Sequence, residues 1–149
     1  MSSAVPRDTD VSLVDVRGPR FAAWVTGAVL ALALLLGSGE LVAVQAAVFA
    51  VGAFAGLRYA PYGLLFRLLV APRLGPVRER EPEAPPRFAQ LVGLLFAVVG
   101  AAGYLLSAPV LGAVATGMAL VAALLNAATG FCLGCELYLL ARRALPARA

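Results

Sequence analysis

The stretch FAQLVGLLFAVVGAAGYLLSAPVLGAVATGMALVAALLNAATGFCLGC, residues Phe88 to Cys135, runs for 48 consecutive residues without a charge. As one helix it would be about 72 Å long at about 1.5 Å per residue, more than twice the roughly 30 Å of a hydrocarbon core. It must therefore fold back, and Ser107-Ala108-Pro109 is the turn signal within it. Helix three is expected near residues 88–106 and helix four near 110–128. Upstream, Phe21 to Gly39 carries no charge, and after Glu40 the run from Leu41 to Leu57 is again uncharged. Helix one is expected near 21–36 and helix two near 41–57, joined antiparallel through Gly37-Ser38-Gly39-Glu40. Two helical hairpins and four spans result, an all-α integral membrane four-helix bundle.

The arginines orient it. Arg7, Arg17 and Arg20 precede helix one; Arg58, Arg67, Arg73, Arg78, Arg80 and Arg87 fill the middle; Arg142, Arg143 and Arg148 close the chain. With four spans all twelve lie on one side, so both termini and the loop 58–87 are expected in the cytoplasm, in a multi-pass protein of the bacterial inner membrane. A long n-region of mixed charge and a second apolar run close behind argue for a retained first helix rather than a cleaved signal peptide.

Composition agrees. The chain has 149 residues, 62% of them hydrophobic and 13% charged, far from the soluble average. The net charge of +4 does not point to nucleic acid, because it flanks apolar spans rather than decorating a folded polar surface. Histidine is absent, which removes the commonest metal ligand and general base. Residues 1–15 read as a flexible cytoplasmic tail, 16–143 as one membrane domain, and 144–149 as a second tail. Within the loop, Pro61 to Val70 reads as an interfacial segment and Ala71 to Arg87 as an extended, proline-rich connector. In helix two, Gly52-x-x-x-Gly56 has the spacing of a close helix–helix contact. Pro19-Arg20-Phe21-Ala22 returns as Pro86-Arg87-Phe88-Ala89, each followed by two spans, a short apolar segment and a basic end. That pattern suggests a parallel internal repeat.

One constellation could carry chemistry: Gly130-Phe131-Cys132-Leu133-Gly134-Cys135-Glu136, after Asn126. It holds the only two cysteines. If Asn126 to Gly130 breaks helix four, Cys132 and Cys135 lie in the first turn of a terminal half-helix, where unpaired N–H groups favour a thiolate. Gly134 would leave room for a partner protein, and Glu136 could accept a thiol proton or pair with Arg142 or Arg143. Three readings stay open. The pair is a dithiol for redox or sulfur chemistry, or a packing pair in which cysteine is a small apolar residue, or half of a soft-metal shell completed by a second protomer. The remaining polar residues of the spans, Gln45, Gln90, Thr116 and Asn126, are expected to form interhelical hydrogen bonds. No charge lies inside a span, which argues against a proton-coupled transporter.

Val14-Asp15-Val16-Arg17-Gly18-Pro19-Arg20-Phe21, Pro61-Tyr62-Gly63, Pro86-Arg87-Phe88-Ala89-Gln90 and Asn126 through Cys135 together resemble the domain-of-unknown-function 4395 family of bacterial membrane proteins. The resemblance runs from about Val14 to Arg143, and its most specific part is the stretch around the cysteines. It implies association with thioredoxin-like or sulfurtransferase proteins, near which members are often encoded. The expectation is a membrane-bound dithiol partner of cytoplasmic thiol-redox or sulfur-transfer proteins, with no cofactor or metal assigned. The competing expectation is a non-catalytic scaffold or channel-like bundle with structural cysteines. A homo-oligomer is compatible with either. A quinone-coupled disulfide generator is disfavoured, since such enzymes act on the outer side with further cysteines.

Overall fold

The computed structural model describes residues 12–145. The order is β1 (Leu13–Asp15), α1 (Arg17–Leu36), α2 (Gly39–Ala50), α3 (Pro61–Leu65), α4 (Ala71–Leu74), β2 (Arg80–Pro82), α5 (Ala84–Leu105), α6 (Pro109–Thr129) and α7 (Leu133–Ala144). The protein is all-α apart from the small strand pair. Among the described residues, α1, α5 and α6 are long and apolar enough to cross a membrane. The helix that begins with α2, Gly39–Ala55, is apolar but shorter.

Helix ends follow local chemistry. Gly37 ends α1 at φ 59°, with Ser38 N–H donating to Ala33 O at 3.0 Å and Gly37 N–H to Leu34 O at 3.4 Å, the paired closure that a left-handed glycine allows. Ser38 then opens α2, its Oγ accepting Leu41 N–H at 3.2 Å. One dipeptide thus closes one helix and caps the next, and α2 starts at Gly39 instead of Leu41. Between α5 and α6, Ser107 takes φ 65° and Pro109 enters the first turn of α6, where no N–H is needed. The turn expected at 107–109 is present.

The interior is built from small residues. Ala33, Ala46, Ala97, Ala101, Ala115, Ala119 and Ala127 are buried, with Leu30, Val42 and Phe49 as the larger fillers. Glycine lets backbones meet: a Cβ on Gly103 would lie 2.5 Å from Gly112 N. Large side chains point outward instead, with Leu35 84%, Leu106 77% and Val110 76% exposed. An alanine–glycine core under a leucine–valine exterior inverts the soluble pattern and suits lipid contact.

Three expectations need correction. Leu13–Asp15 does not belong to a flexible tail. It pairs antiparallel with Arg80–Pro82, Asp15 opposite Arg80, and Glu83 N–H donates to Ser12 O at 2.9 Å. The rest of the expected tail, 1–11, lies outside the described residues, as do 146–149. The connector 71–87 likewise begins with α4 and contains β2. Finally, Gly56 is not on a helix face. The last turn of the α2 helix widens into i→i+5 geometry over Val51–Ala55, and Gly56 at φ 110° leaves it altogether. Gly52 remains in close contact, its face filled by the Gln90 side chain.

Two contacts occur once in each half. The Arg87 guanidinium donates to Ala53 O at 3.0 Å and Phe54 O at 3.2 Å, capping the end of the α2 helix. The Arg20 guanidinium donates to Ala127 O at 3.3 Å and Ala128 O at 3.2 Å, capping α6. Beside them, Phe21 meets Phe66 and Phe88 meets Tyr138, each with ring centroids 5.8 Å apart. The start of α1 is tied to the end of α6 and to the segment after α3, and the start of α5 to the end of α2 and to α7. One end of the molecule therefore gathers all four of those helix termini.

Candidate functional site

At that end α6 stops at Thr129, later than the break expected from Asn126. Asn126 is still helical, and its carbonyl accepts Gly130 N–H at 2.8 Å. The break is made by Gly130 at φ 78°. The Thr129 hydroxyl steadies the turn, donating to Leu125 O at 2.6 Å and accepting Phe131 N–H at 3.2 Å. Two residues later the chain is helical again.

Cys132 is the N-cap of α7, one position earlier than the first turn, and extended at φ −96°, ψ 108°. Its Sγ accepts Cys135 N–H at 3.2 Å, the place a serine or aspartate oxygen usually takes. The two cysteines are joined as a disulfide with Cα atoms 5.2 Å apart, inside the range that such a bond spans. Both are partly exposed. The arrangement can exist as a disulfide, or as a dithiol in which the Cys135 N–H faces the Cys132 sulfur.

The neighbours differ from their expected roles. Gly134 does not hold space open for a partner. It faces α5, where an added Cβ would lie 2.6 Å from both Cα and Cβ of Ala89. One turn on, Tyr138 meets Phe88, so α7 docks on the start of α5 through Gly134 and Tyr138. Glu136 is exposed in the first turn of α7 and makes no ion pair, because the only pair among the described residues is Asp15–Arg17 at 2.9 Å. Among those residues no set of three or more His, Cys, Asp or Glu is placed to hold a metal ion.

Other polar residues sort as follows. Gln45 is fully buried, its amide donating to Thr26 Oγ1 at 3.5 Å and its carbonyl accepting the Tyr62 hydroxyl at 2.7 Å. Gln90 lies against Gly52. Thr116 is buried without a hydrogen-bond partner, against the face of Gly100.

Residues 14–143 match the family described as Domain of unknown function (DUF4395). The chain belongs to the DUF4395 family. No curated protein and no solved structure matches it. In this DUF4395 chain, sequence reasoning named the cysteine pair but missed the two arginine caps and the Tyr62–Gln45 bond. The repeated Pro-Arg-Phe-Ala was the available signal for the caps. It marks the two places where a helix start must reach the carbonyls of another helix end.

Proposed function

We propose that this protein is a four-span bundle of the bacterial inner membrane, a duplicated hairpin with both termini cytoplasmic, whose Cys132–Cys135 pair exchanges disulfides with a cytoplasmic thiol-redox or sulfur-transfer protein. The matched Arg20 and Arg87 caps support the duplication, and the arginine-rich end supports the orientation. The observation that carries the chemistry is Cys132 Sγ accepting Cys135 N–H at the mouth of a separate, partly exposed helix. In the reduced form the same N–H and the positive end of the helix dipole favour the Cys132 thiolate.

The exchange balances as follows. Cys132 thiolate attacks one sulfur of a partner disulfide, and the other partner sulfur leaves as a thiolate and takes up a proton. Cys135, deprotonated, then attacks Cys132 sulfur, forming the internal disulfide and releasing the second partner thiol. Two electrons and two protons pass from the dithiol to the partner. Run in reverse, a partner dithiol reduces the pair.

A second reading, a scaffold in which the disulfide merely staples the start of α7, is favoured by the tight Gly134–Ala89 contact. Trapping in intact cells separates the two. Under the exchange reading Cys135→Ser accumulates a mixed disulfide with a cytoplasmic protein and Cys132→Ser does not. In inverted vesicles treated with a reductant, a maleimide should modify Cys132 faster than Cys135. Two slow thiols and no trapped species would leave the scaffold.

A further inference from the structure

The first half of the chain has a counterpart to α7, packed on Phe21 through Phe66 as α7 packs on Phe88 through Tyr138, and it carries arginines but no cysteine. From Pro61 to Leu74 the chain is helical almost throughout: α3, a widened turn over Phe66–Val70, and α4. Its inner face is accounted for. Phe66 is buried against Phe21, close to Gly18, and Tyr62 reaches Gln45. That anchoring holds the segment level with the first turns of α1, where the apolar helix begins and Arg17 and Arg20 mark its polar boundary.

Among the described residues nothing covers the outer face. Leu64, Leu65, Leu68 and Leu69 are exposed, Leu68 to 74%. Among them stands Arg67, whose guanidinium donates to the carbonyl of Arg58. The Arg58 guanidinium lies over the Tyr59 ring, 5.4 Å from its centroid. Among the described residues neither arginine is ion-paired. Glu83, which reaches the residue before Arg58, spends its Oε1 on Leu57 N–H at 2.7 Å. Leucines that want hydrocarbon and guanidiniums that want an anion thus share one surface at one depth. Nucleic acid would leave the leucines in water. An anionic amphiphile satisfies both.

We propose that Arg58 and the Pro61–Leu74 segment form a docking surface for anionic phospholipid. Arg58 and Arg67 hold the headgroup phosphate, and Leu64, Leu65, Leu68 and Leu69 enter the acyl boundary. Arginine suits the task because its planar fork meets two phosphate oxygens at once.

The test uses the full-length protein in mild detergent with equimolar phosphatidylglycerol and phosphatidylcholine, the retained lipid read by native mass spectrometry. Wild type should retain phosphatidylglycerol preferentially, and added salt should erode the preference. Arg58→Gln and Arg67→Gln should each lower it about fivefold, the size of one arginine–anionic-lipid contact. Arg67→Lys should keep a preference, since the charge remains. Arg67→Gln, exposed and outside the buried contacts, should unfold at the wild-type temperature, so its loss of lipid reports binding rather than folding. The proposal is overturned if wild type retains both lipids equally, if the double Gln variant keeps the full preference, or if excess inorganic phosphate alone displaces the lipid. Cysteine reactivity plays no part in the readout, so the outcome is independent of the thiol-exchange reading.

Discussion

Gly134 of α7 lies so close against Ala89 of α5 that no further atom fits: a Cβ on Gly134 would come within 2.6 Å of both Cα and Cβ of Ala89. The glycine between the two cysteines is therefore what lets their helix lie against α5. Gly134→Ala should push α7 away and lower stability by about 1–3 kcal/mol, the usual cost of overpacking. Gly117→Ala, with nothing within 4 Å of its added Cβ, should be tolerated. Thermal unfolding in detergent measures both. Equal midpoints for the two variants would show that α7 is not held by this contact.

The two arginine caps should differ in weight. Arg87 is partly buried and donates three bonds to the carbonyls of Ala53 and Phe54, whereas Arg20 is exposed and donates two. Exposed charged contacts are weakened by water, while a less exposed guanidinium loses more when its acceptors are orphaned. Arg87→Gln should therefore cost about 2 kcal/mol and Arg20→Gln about 1 kcal/mol or less. Chemical denaturation in detergent would rank them, and a larger loss at Arg20 contradicts the argument.

What was legible in the sequence divides along physical lines. The length of an uncharged run can be compared with the roughly 30 Å of a hydrocarbon core, so the long helices and the turn at Ser107–Pro109 could be read from residues alone. The cysteines could be named because they are the only pair in the chain. The end of the α2 helix could not, because it depends on Gly56 at φ 110° and on Arg87 arriving from 31 positions downstream of it. Nor could the β1–β2 pair, since two three-residue strands, one before α1 and the other inside the proline-rich connector, carry no periodic signal, and they meet only once α1 and α5 are packed. Gly134 illustrates the same limit. A glycine between two cysteines reads equally as space for a partner or as space already filled, and only the position of Ala89 decides.

The β1–β2 pair should respond to pH in two opposite steps. The Arg17 side chain, hydrogen-bonded to Asp15, holds that carboxyl below its ordinary 3.8. Partial burial, and then the charge of Glu79, push Glu81 above its ordinary 4.5. An acid whose folded value is lowered stabilises the fold above its unfolded value, and that stability is lost as pH falls through the folded one. An acid whose folded value is raised penalises the fold when ionised, and the penalty lifts as pH falls through the raised value. Acidification from neutrality should thus first strengthen the pair as Glu81 is protonated above pH 4.5, then weaken it as Asp15 is protonated below pH 3.8. Hydrogen-exchange protection of the Val16 amide, which donates to Glu79 O, should pass through a maximum between those values. A steady fall from neutrality would remove Glu81 from the account.

Gln45 gives the sharpest test of how the first-half segment is anchored. Its side chain is fully buried, and the Tyr62 hydroxyl supplies a 2.7 Å bond to its carbonyl, shorter than the 3.5 Å bond from its amide to Thr26. Tyr62→Phe keeps the ring and removes only the donor, leaving a buried carbonyl unsatisfied. Hydrogen bonds between membrane helices are worth about 0.6 kcal/mol on average and up to about 1.7 kcal/mol, and this short one to a wholly buried acceptor belongs near the upper figure. Replacing both partners removes the orphan along with the bond. Tyr62→Phe should therefore be more destabilising than Tyr62→Phe combined with Gln45→Leu, an inversion that loss of packing alone would not produce. Thermal unfolding of the single and double variants measures it. If the double variant is the less stable of the two, Gln45 contributes by its shape and not by its bond to Tyr62.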